Sequence, residues 1–178
     1  MTTRRLRSPG VRRFREVAER YCLLIEHRNE RAMEELLKQI HVLLPELYIA
    51  AVILPNVEES GRPAPEEQVG VDVWRQLYDA LGAQLGGRNY YSEMFAPFDF
   101  SETAPATGSL ADDLVDIYLD LSRGLRLWRA GREHDAVWEW QFHFQHHWGR
   151  HATGALRALH ALAYDHDWAE PNTESQAT

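Results

Sequence analysis

Four side chains in the C-terminal third recur at a spacing that places them on adjacent helical turns. Glu139, His143, His147 and His151, here called the histidine ladder, follow one another at intervals of four residues, and residues at that interval are neighbours on a helix. Histidine pairs at this spacing bind zinc in helical sites. Each step rotates by about 40° around the helix axis, so one ion can be held by two or three members but not by all four.

A second set of candidate ligands is acidic. Asp113, Asp116 and Asp120, here called the acidic stripe, are spaced i, i+3, i+7, which places them along one border of a helix's apolar face, whereas Asp112 is expected to face nearly away. Carboxylates one turn apart can share a hard cation such as Mg²⁺. The pattern is equally typical of a solvated helix flank, where acids near the N-terminus favour the helix dipole.

The two sets can meet if their helices pack antiparallel. Three interpretations stay open: histidines hydrogen-bonded to acids on a facing helix, a metal site, or acid–base catalysis. The zincin pattern His-Glu-x-x-His is absent around His147, and the sequence assigns no metal or cofactor. The candidate ligand-binding residues are Asp113, Asp116, Glu139, His143, His147 and His151.

Apolar residues at helical spacing predict the elements that would position these groups. They indicate an all-α fold, a single-domain bundle of about five or six helices. We expect a kink or break at Pro45, a bend at Gly149 and an N-cap at Ser109. Residues 88–107 are too aromatic for a flexible linker and predict an ordered connection packed on the bundle, a candidate lid. The predicted helices cover residues 11–27, 30–54, 66–81, 109–130 and 133–164.

One stretch also fits a strand. Residues 138–145 alternate apolar and polar side chains, the pattern of a half-buried β-strand. A strand needs a partner, and we find no other segment that alternates in this way. We therefore predict a helix, with Trp140 and Phe144 on one face and Trp138 and Phe142 on the other, covered on both sides.

Composition limits the class of protein. The chain has 178 residues, one cysteine and a net charge of −8, which predicts a single domain over residues 11–164 between a basic arm (1–10) and a polar tail (165–178). The net charge argues against nucleic-acid binding, although the arginines of the arm keep that option open. We expect neither a signal peptide nor a membrane anchor, and Cys22 without a disulfide partner indicates the cytoplasm.

Several stretches of the sequence resemble a known bacterial family. The segments GSLADDL (108–114), HWGRHA (147–152) and ALRALH (155–160) look like those of the family called domain of unknown function 5063. Tyr21-Cys22, Ile25-Glu26 and residues 47–55 fit the same family, so the resemblance covers about Phe14 to Leu162. It implies a bacterial, soluble, helical protein and adds no catalytic residue. It gives the positions to test first: Asp112, Asp113, Asp116, Glu139, His147 and His151.

Two main functional hypotheses follow. The first is a non-enzymatic helical module that binds a protein partner or a small ligand, favoured by the many aromatic side chains and by the lack of a recognisable catalytic set. The alternative is a metal-dependent hydrolase acting on nucleotides or phosphoesters through the acid and histidine groups. Bound metal in the purified protein would distinguish them.

Overall fold

Six α-helices and one short hairpin make up the residues that the structure describes. The structure is a computed structural model, and it describes residues 6, 8–62, 71–101 and 103–165. Two 3₁₀ turns, Arg28–Glu30 and Gly86–Asn89, lie between these elements. In chain order the elements are α1 (Pro9–Glu26), α2 (Met33–Val52), α3 (Val71–Leu85), β1 (Tyr90–Glu93), β2 (Ala106–Ser109), α4 (Leu110–Arg129), α5 (Glu133–His146) and α6 (Trp148–Tyr164).

Helix α4 is the centre of the bundle and packs against α1, α3, α5 and α6. Ser109 caps it as predicted, since its side chain accepts a hydrogen bond from the backbone N–H of Asp112. Its apolar stripe is almost fully buried: Leu110, Leu114, Ile117, Leu121 and Leu125. The acidic stripe lies beside this buried face. Packing of the apolar residues therefore places the carboxylates next to the neighbouring helices.

Helix α2 continues without a break through Pro45. Of the kink or break expected there, the break does not occur. Proline removes one backbone donor from the helix ladder. On both sides of it, however, Leu43, Leu44 and Leu47 are at most 4% exposed. Burial of these leucines against the bundle holds both halves of the helix in one line.

The last predicted helix is two helices, and the break lies at His147 rather than at Gly149. The backbone of His147 is non-helical, with φ −141° and ψ −89°, and α6 begins at the next residue. Gly149 is still essential to the turn, because a Cβ there would lie 2.2 Å from the carbonyl oxygen of Phe144. The close approach of α6 to the end of α5 therefore needs a residue without a side chain.

Residues 138–145 are helical in α5, as predicted. The hairpin that begins in residues 88–107 is not predicted by the sequence. Strands β1 and β2 pair antiparallel, with Tyr91 opposite Gly108. The Tyr91 ring packs over that glycine, where a Cβ would lie 2.5 Å from it. Each strand has only four residues, and β1 alternates only between exposed and partly buried side chains, so the apolar–polar signal of a strand is weak. The pairing joins the two ends of the aromatic connection, but the expected packing of its aromatic rings on the bundle is wrong for Phe95, Phe98 and Phe100, which are 64%, 91% and 89% exposed.

Some predictions fall on residues that the structure does not describe. The expected start of the third helix at Glu66 lies there, as do most of the basic arm and residues 166–178. Within the arm, helix α1 already begins at Pro9. None of the helices in the described residues is both long and apolar enough to cross a membrane.

We predict that Gly149→Ala destabilises the protein, because the added Cβ meets backbone that cannot move aside. The free energy of unfolding should fall by about 1–3 kcal/mol, measured by urea denaturation. Gly82→Ala is the matched control: its added Cβ has no neighbour nearer than 3.7 Å, and alanine is favoured over glycine in a helix. Equal effects of the two substitutions would contradict this account of the turn.

Candidate metal centre

The acidic stripe of α4 faces the histidine ladder of α5 and α6. Partners pair in reverse chain order, Asp113 with His151 and Asp120 with His147, so the two segments run antiparallel. The convergence that the sequence left conditional is therefore present. Ion pairs across this interface continue to the far end of α4, where Arg123 meets Glu139 at 3.1 Å.

Both central imidazoles adopt the same orientation. Nδ1 of His151 lies 2.9 Å from Oδ1 of Asp113, and Nδ1 of His147 lies 2.7 Å from Oδ2 of Asp120. An ionised carboxylate only accepts hydrogen bonds, so each Nδ1 carries the proton. The Nε2 atoms then point to one shared oxygen, Oδ2 of Asp116, at 3.4 Å from His151 and 3.7 Å from His147.

Asp116 is held by a donor from a third helix. Nε1–H of Trp74, on α3, donates to Oδ1 of Asp116 at 2.7 Å. The indole is itself fixed by stacking on Tyr78, with ring centroids 4.9 Å apart. One oxygen of the carboxylate is thus occupied, and the other is directed at the two Nε2 atoms.

Asp113 is held by the hairpin. The hydroxyl of Tyr91, on β1, donates to Oδ2 of Asp113 at 2.7 Å, so both oxygens of this 5% exposed residue have donors. The phenol lies against Gly154 of α6, where a Cβ would sit 2.6 Å from the hydroxyl oxygen. A glycine at 154 therefore permits the contact through which β1 reaches α4.

The remaining members of the ladder lie to one side of this centre. Nδ1 of His143 is 3.4 Å from Oδ1 of Asp120. Its Nε2 lies 3.1 Å from Oε2 of Glu139, in an orientation that does not make a hydrogen bond. Glu139 belongs to none of the three groups of described residues whose ligand atoms lie within 4.8 Å of one another. Those groups are Asp116/His147/His151, Asp120/His143/His147 and Asp112/Asp113/His151.

Asp112 was expected to face away from the cluster, and this is wrong. Its Oδ2 lies 3.9 Å from Nδ1 of His151, and its side chain is 39% exposed. A carboxylate at the border of a helix face reaches an imidazole on the facing helix, because the side chains of both extend toward the interface. Asp112 therefore forms the solvent edge of the cluster.

The cluster shifts the proton affinities of its own members. The pKa of Asp113 is raised because burial disfavours its charged form, which the hydrogen bonds from His151 and Tyr91 offset only in part. The pKa of His147 is raised chiefly by its hydrogen bond with Asp120. Burial alone would lower the pKa of His151, but the bond to Asp113 and the neighbouring carboxylates outweigh it and the pKa is raised.

A groove of about 910 Å³ opens beside the cluster. Asp113, His147 and His151 line part of it, and the remaining lining includes His146, Arg150, Glu93 and the segment after β1 with Asp99. In that segment Phe95 is 64% exposed and Phe98 is 91% exposed. Small-molecule sites have volumes of this order, so the cluster is accessible from a space that can admit a ligand.

Comparison with known proteins places the chain in a family. Residues 7–165 match the family model described as domain of unknown function, DUF5063. The chain belongs to the DUF5063 family. Protein BF1032 from Bacteroides fragilis, known from a crystal structure, has a similar fold. BF1032 is 24% identical in sequence to this chain, and the two structures match with a TM-score of 0.77. The match covers 90% of this chain and 96% of BF1032. A search of curated proteins gave no match.

Two residues of this DUF5063 site were missed in the sequence. The sequence analysis singles out neither Trp74, in the third predicted helix, nor Tyr91, in the aromatic connection, yet both donate to aspartates of the stripe. The sequence carries no local signal for either bond, because their partners lie 42 and 22 residues away. Asp120, noted only as part of the stripe, orients His147.

We predict that the protein with chelator present is more stable in mild acid than in mild base. Both imidazoles have a folded-state pKa above the ordinary 6.5. Their contribution to stability is therefore complete below that value and is lost as the pH rises through the folded-state pKa. The raised pKa values of Asp112 and Asp113 have the same sign, but their contribution begins to be lost already as the pH rises above 3.8. Thermal unfolding at about pH 6 and about pH 8.5 should show a higher Tm at the lower pH.

His147→Gln with His151→Gln should flatten this pH dependence above pH 6.5. The control is His146→Gln, since His146 is exposed and contacts the Phe142 ring rather than the acidic stripe. If the double variant retains the full decline, the two imidazoles do not cause it.

Proposed function

We propose that this protein binds a divalent transition-metal ion through Asp116, His147 and His151 and uses it to hydrolyse a phosphoester. One observation carries the proposal: two Nε2 atoms and one carboxylate oxygen, from three residues on two facing segments, converge within 4.8 Å. Two histidines and one carboxylate form a common ligand set of catalytic zinc and of other first-row metal sites.

The spacing of the ligand atoms fits a small ion. Bonds of about 2.0–2.1 Å in a tetrahedral site place ligand atoms roughly 3.3 Å apart. The separations of Oδ2 of Asp116 from the two Nε2 atoms are 3.4 and 3.7 Å. Both separations lie within a few tenths of an ångström of that value, and the ligand atoms of the three residues all lie within 4.8 Å of one another.

Each proposed ligand already has a partner that orients it. Asp113 and Asp120 accept from the Nδ1 atoms of His151 and His147, and Trp74 donates to the other oxygen of Asp116. Carboxylates behind metal-bound histidines fix the tautomer and raise the basicity of the ligand nitrogen. A purely structural pair of histidines would not require both rings to present Nε2 to the same oxygen.

The chemistry follows from the number of ligands. Three protein ligands leave a coordination position for water, which a bound metal ion activates as a nucleophile near neutral pH. Asp113 and Asp120 hold a proton on Nδ1 of each imidazole, which leaves Nε2 as the nitrogen that can bind the metal. His147 and His151 also line the groove, so a phosphoester in the groove would lie next to two of the three proposed ligands.

A second candidate is the non-enzymatic module that binds a protein partner. The favouring observation is the aromatic segment after β1, in which Phe95, Phe98 and Phe100 are 64%, 91% and 89% exposed. In that case the acid–histidine bonds serve only to join α4 to α5 and α6. This candidate predicts no metal uptake.

We further propose a bacterial cytoplasmic location for this protein. It is supported by the single cysteine, Cys22, which is buried and not in a disulfide. The net charge of −8 favours a small ligand held by metal over direct binding of nucleic acid. The proposed cytoplasmic location is tested by localising a tagged full-length chain in its own cell.

We predict that the purified full-length protein takes up one zinc ion, or one comparable first-row ion, per chain. Elemental analysis after anaerobic purification and titration with Zn²⁺, Mn²⁺, Fe²⁺ and Co²⁺ measure this. His147→Ala with His151→Ala should abolish uptake. Asp120→Asn, which keeps every ligand but removes the carboxylate behind His147, should raise the Kd about 10–100-fold. His146→Ala, one residue from the centre, should leave it unchanged.

The metal result decides between the candidates. If no ion is retained and none of the four binds at about pH 7.5, the metal centre is excluded and the partner-binding module is favoured. An equal loss of affinity in His146→Ala and His147→Ala would also contradict the assigned ligand set.

We predict that the metal-loaded protein hydrolyses a simple phosphoester such as bis(p-nitrophenyl) phosphate. Release of p-nitrophenolate should fall at least a hundredfold in Asp116→Asn, because an amide is a weak ligand and removes one charge from the set. His160→Ala is the control, because His160 is an exposed histidine of α6 outside the groove lining. Metal binding without any turnover of phosphomonoesters or diesters would refute the reaction while leaving the metal centre intact.

A further inference from the structure

We propose that the groove beside the metal centre binds a phosphate group joined to a flat aromatic group, as in a nucleoside monophosphate. The inference rests on the proposed metal centre and names the ligand for the same site. The phosphate would lie between the metal and Arg150, and the aromatic group against Phe98 and Phe95. Each part of this assignment has its own observation.

Arg150 is a cation that the acidic cluster leaves without a partner. It lies on α6 directly before His151, and the side chains of Arg150, His147 and His151 all line the groove. Its exposed side chain makes no ion pair or hydrogen bond within the described residues, although Asp113 lines the same groove. A free guanidinium beside a metal site matches the geometry of a phosphate, which it can bind through two parallel N–H groups.

The charge of the cluster makes anion binding depend on metal. Asp112, Asp113, Asp116 and Asp120 surround two imidazoles that are neutral when they coordinate an ion. Without a cation this concentration of carboxylates repels a phosphate. A metal ion held by Asp116, His147 and His151 would supply one positive charge beside the groove, and the guanidinium of Arg150 supplies a second one.

The outer wall suits a flat apolar group. Phe98 and Phe95 line the groove and expose most of their rings, and aromatic side chains stack on nucleobases without requiring a particular base. The groove volume of about 910 Å³ is within the range of small-molecule sites. Phosphate alone would leave these rings uncovered, so we assign a ligand that has both parts.

The test is calorimetric titration of the zinc-loaded full chain with three probes. The first is the methylenephosphonate analogue of AMP, whose P–C bond resists hydrolysis; adenosine and inorganic phosphate are the others. We expect the analogue to bind at least tenfold more tightly than either fragment. Chelation of the metal should abolish the binding of both anions.

Matched variants separate the two contacts. Phe98→Ala should raise the Kd of the analogue about tenfold and leave that of phosphate unchanged, whereas Phe100→Ala, equally exposed but outside the groove lining, should change neither. Arg150→Gln should raise the Kd of both anions about tenfold or more. Arg12→Gln, an exposed arginine of α1 outside the groove, is its control. Metal content is measured for every variant.

The outcomes distinguish this inference from the proposed function. Metal-loaded protein that binds none of the probes overturns the ligand assignment and leaves the metal centre standing. Equal affinity with and without metal overturns it as well, as do equal effects of Phe98→Ala and Phe100→Ala. A protein that takes up no metal overturns both.

Discussion

The hydrogen bonds that the imidazoles of His147 and His151 donate to Asp120 and Asp113 determine the arrangement of the whole site. They fix the proton of each ring on Nδ1 and turn both Nε2 atoms toward Asp116. Removing either carboxylate would free a ring to rotate. The site therefore depends on the facing of α4 against α5 and α6 rather than on any local motif.

That facing in turn depends on close backbone packing. Gly149 lets the start of α6 approach the end of α5, and Gly154 lets Tyr91 reach Asp113. Gly124 has the same role further along α4, where a Cβ would lie 2.0 Å from Nε1 of Trp140. Absent side chains at three positions bring the helices and the hairpin close enough for short polar contacts.

Burying this much charge is unfavourable unless it is paired. Asp113 and Asp120 are 5% and 9% exposed, and each has a donor, so the desolvation of the carboxylates is offset by charge-assisted hydrogen bonds. The raised pKa values of Asp113, His147 and His151 show that protons take part in this balance. In the proposed metal site a divalent ion would replace those protons, because metal binding requires deprotonated ligands.

The sequence by itself determined the helical class, the cap at Ser109 and which acids and histidines lie at ligand spacing. These follow from periodicity and spacing within a single helix, which local backbone geometry controls. The tertiary structure decided the continuity of α2 through Pro45, the break at His147, the β1–β2 hairpin, the inclusion of Asp112, and the contacts of Trp74 and Tyr91. Each of these depends on packing between segments distant in the chain, where burial outweighs local preference and no spacing rule applies.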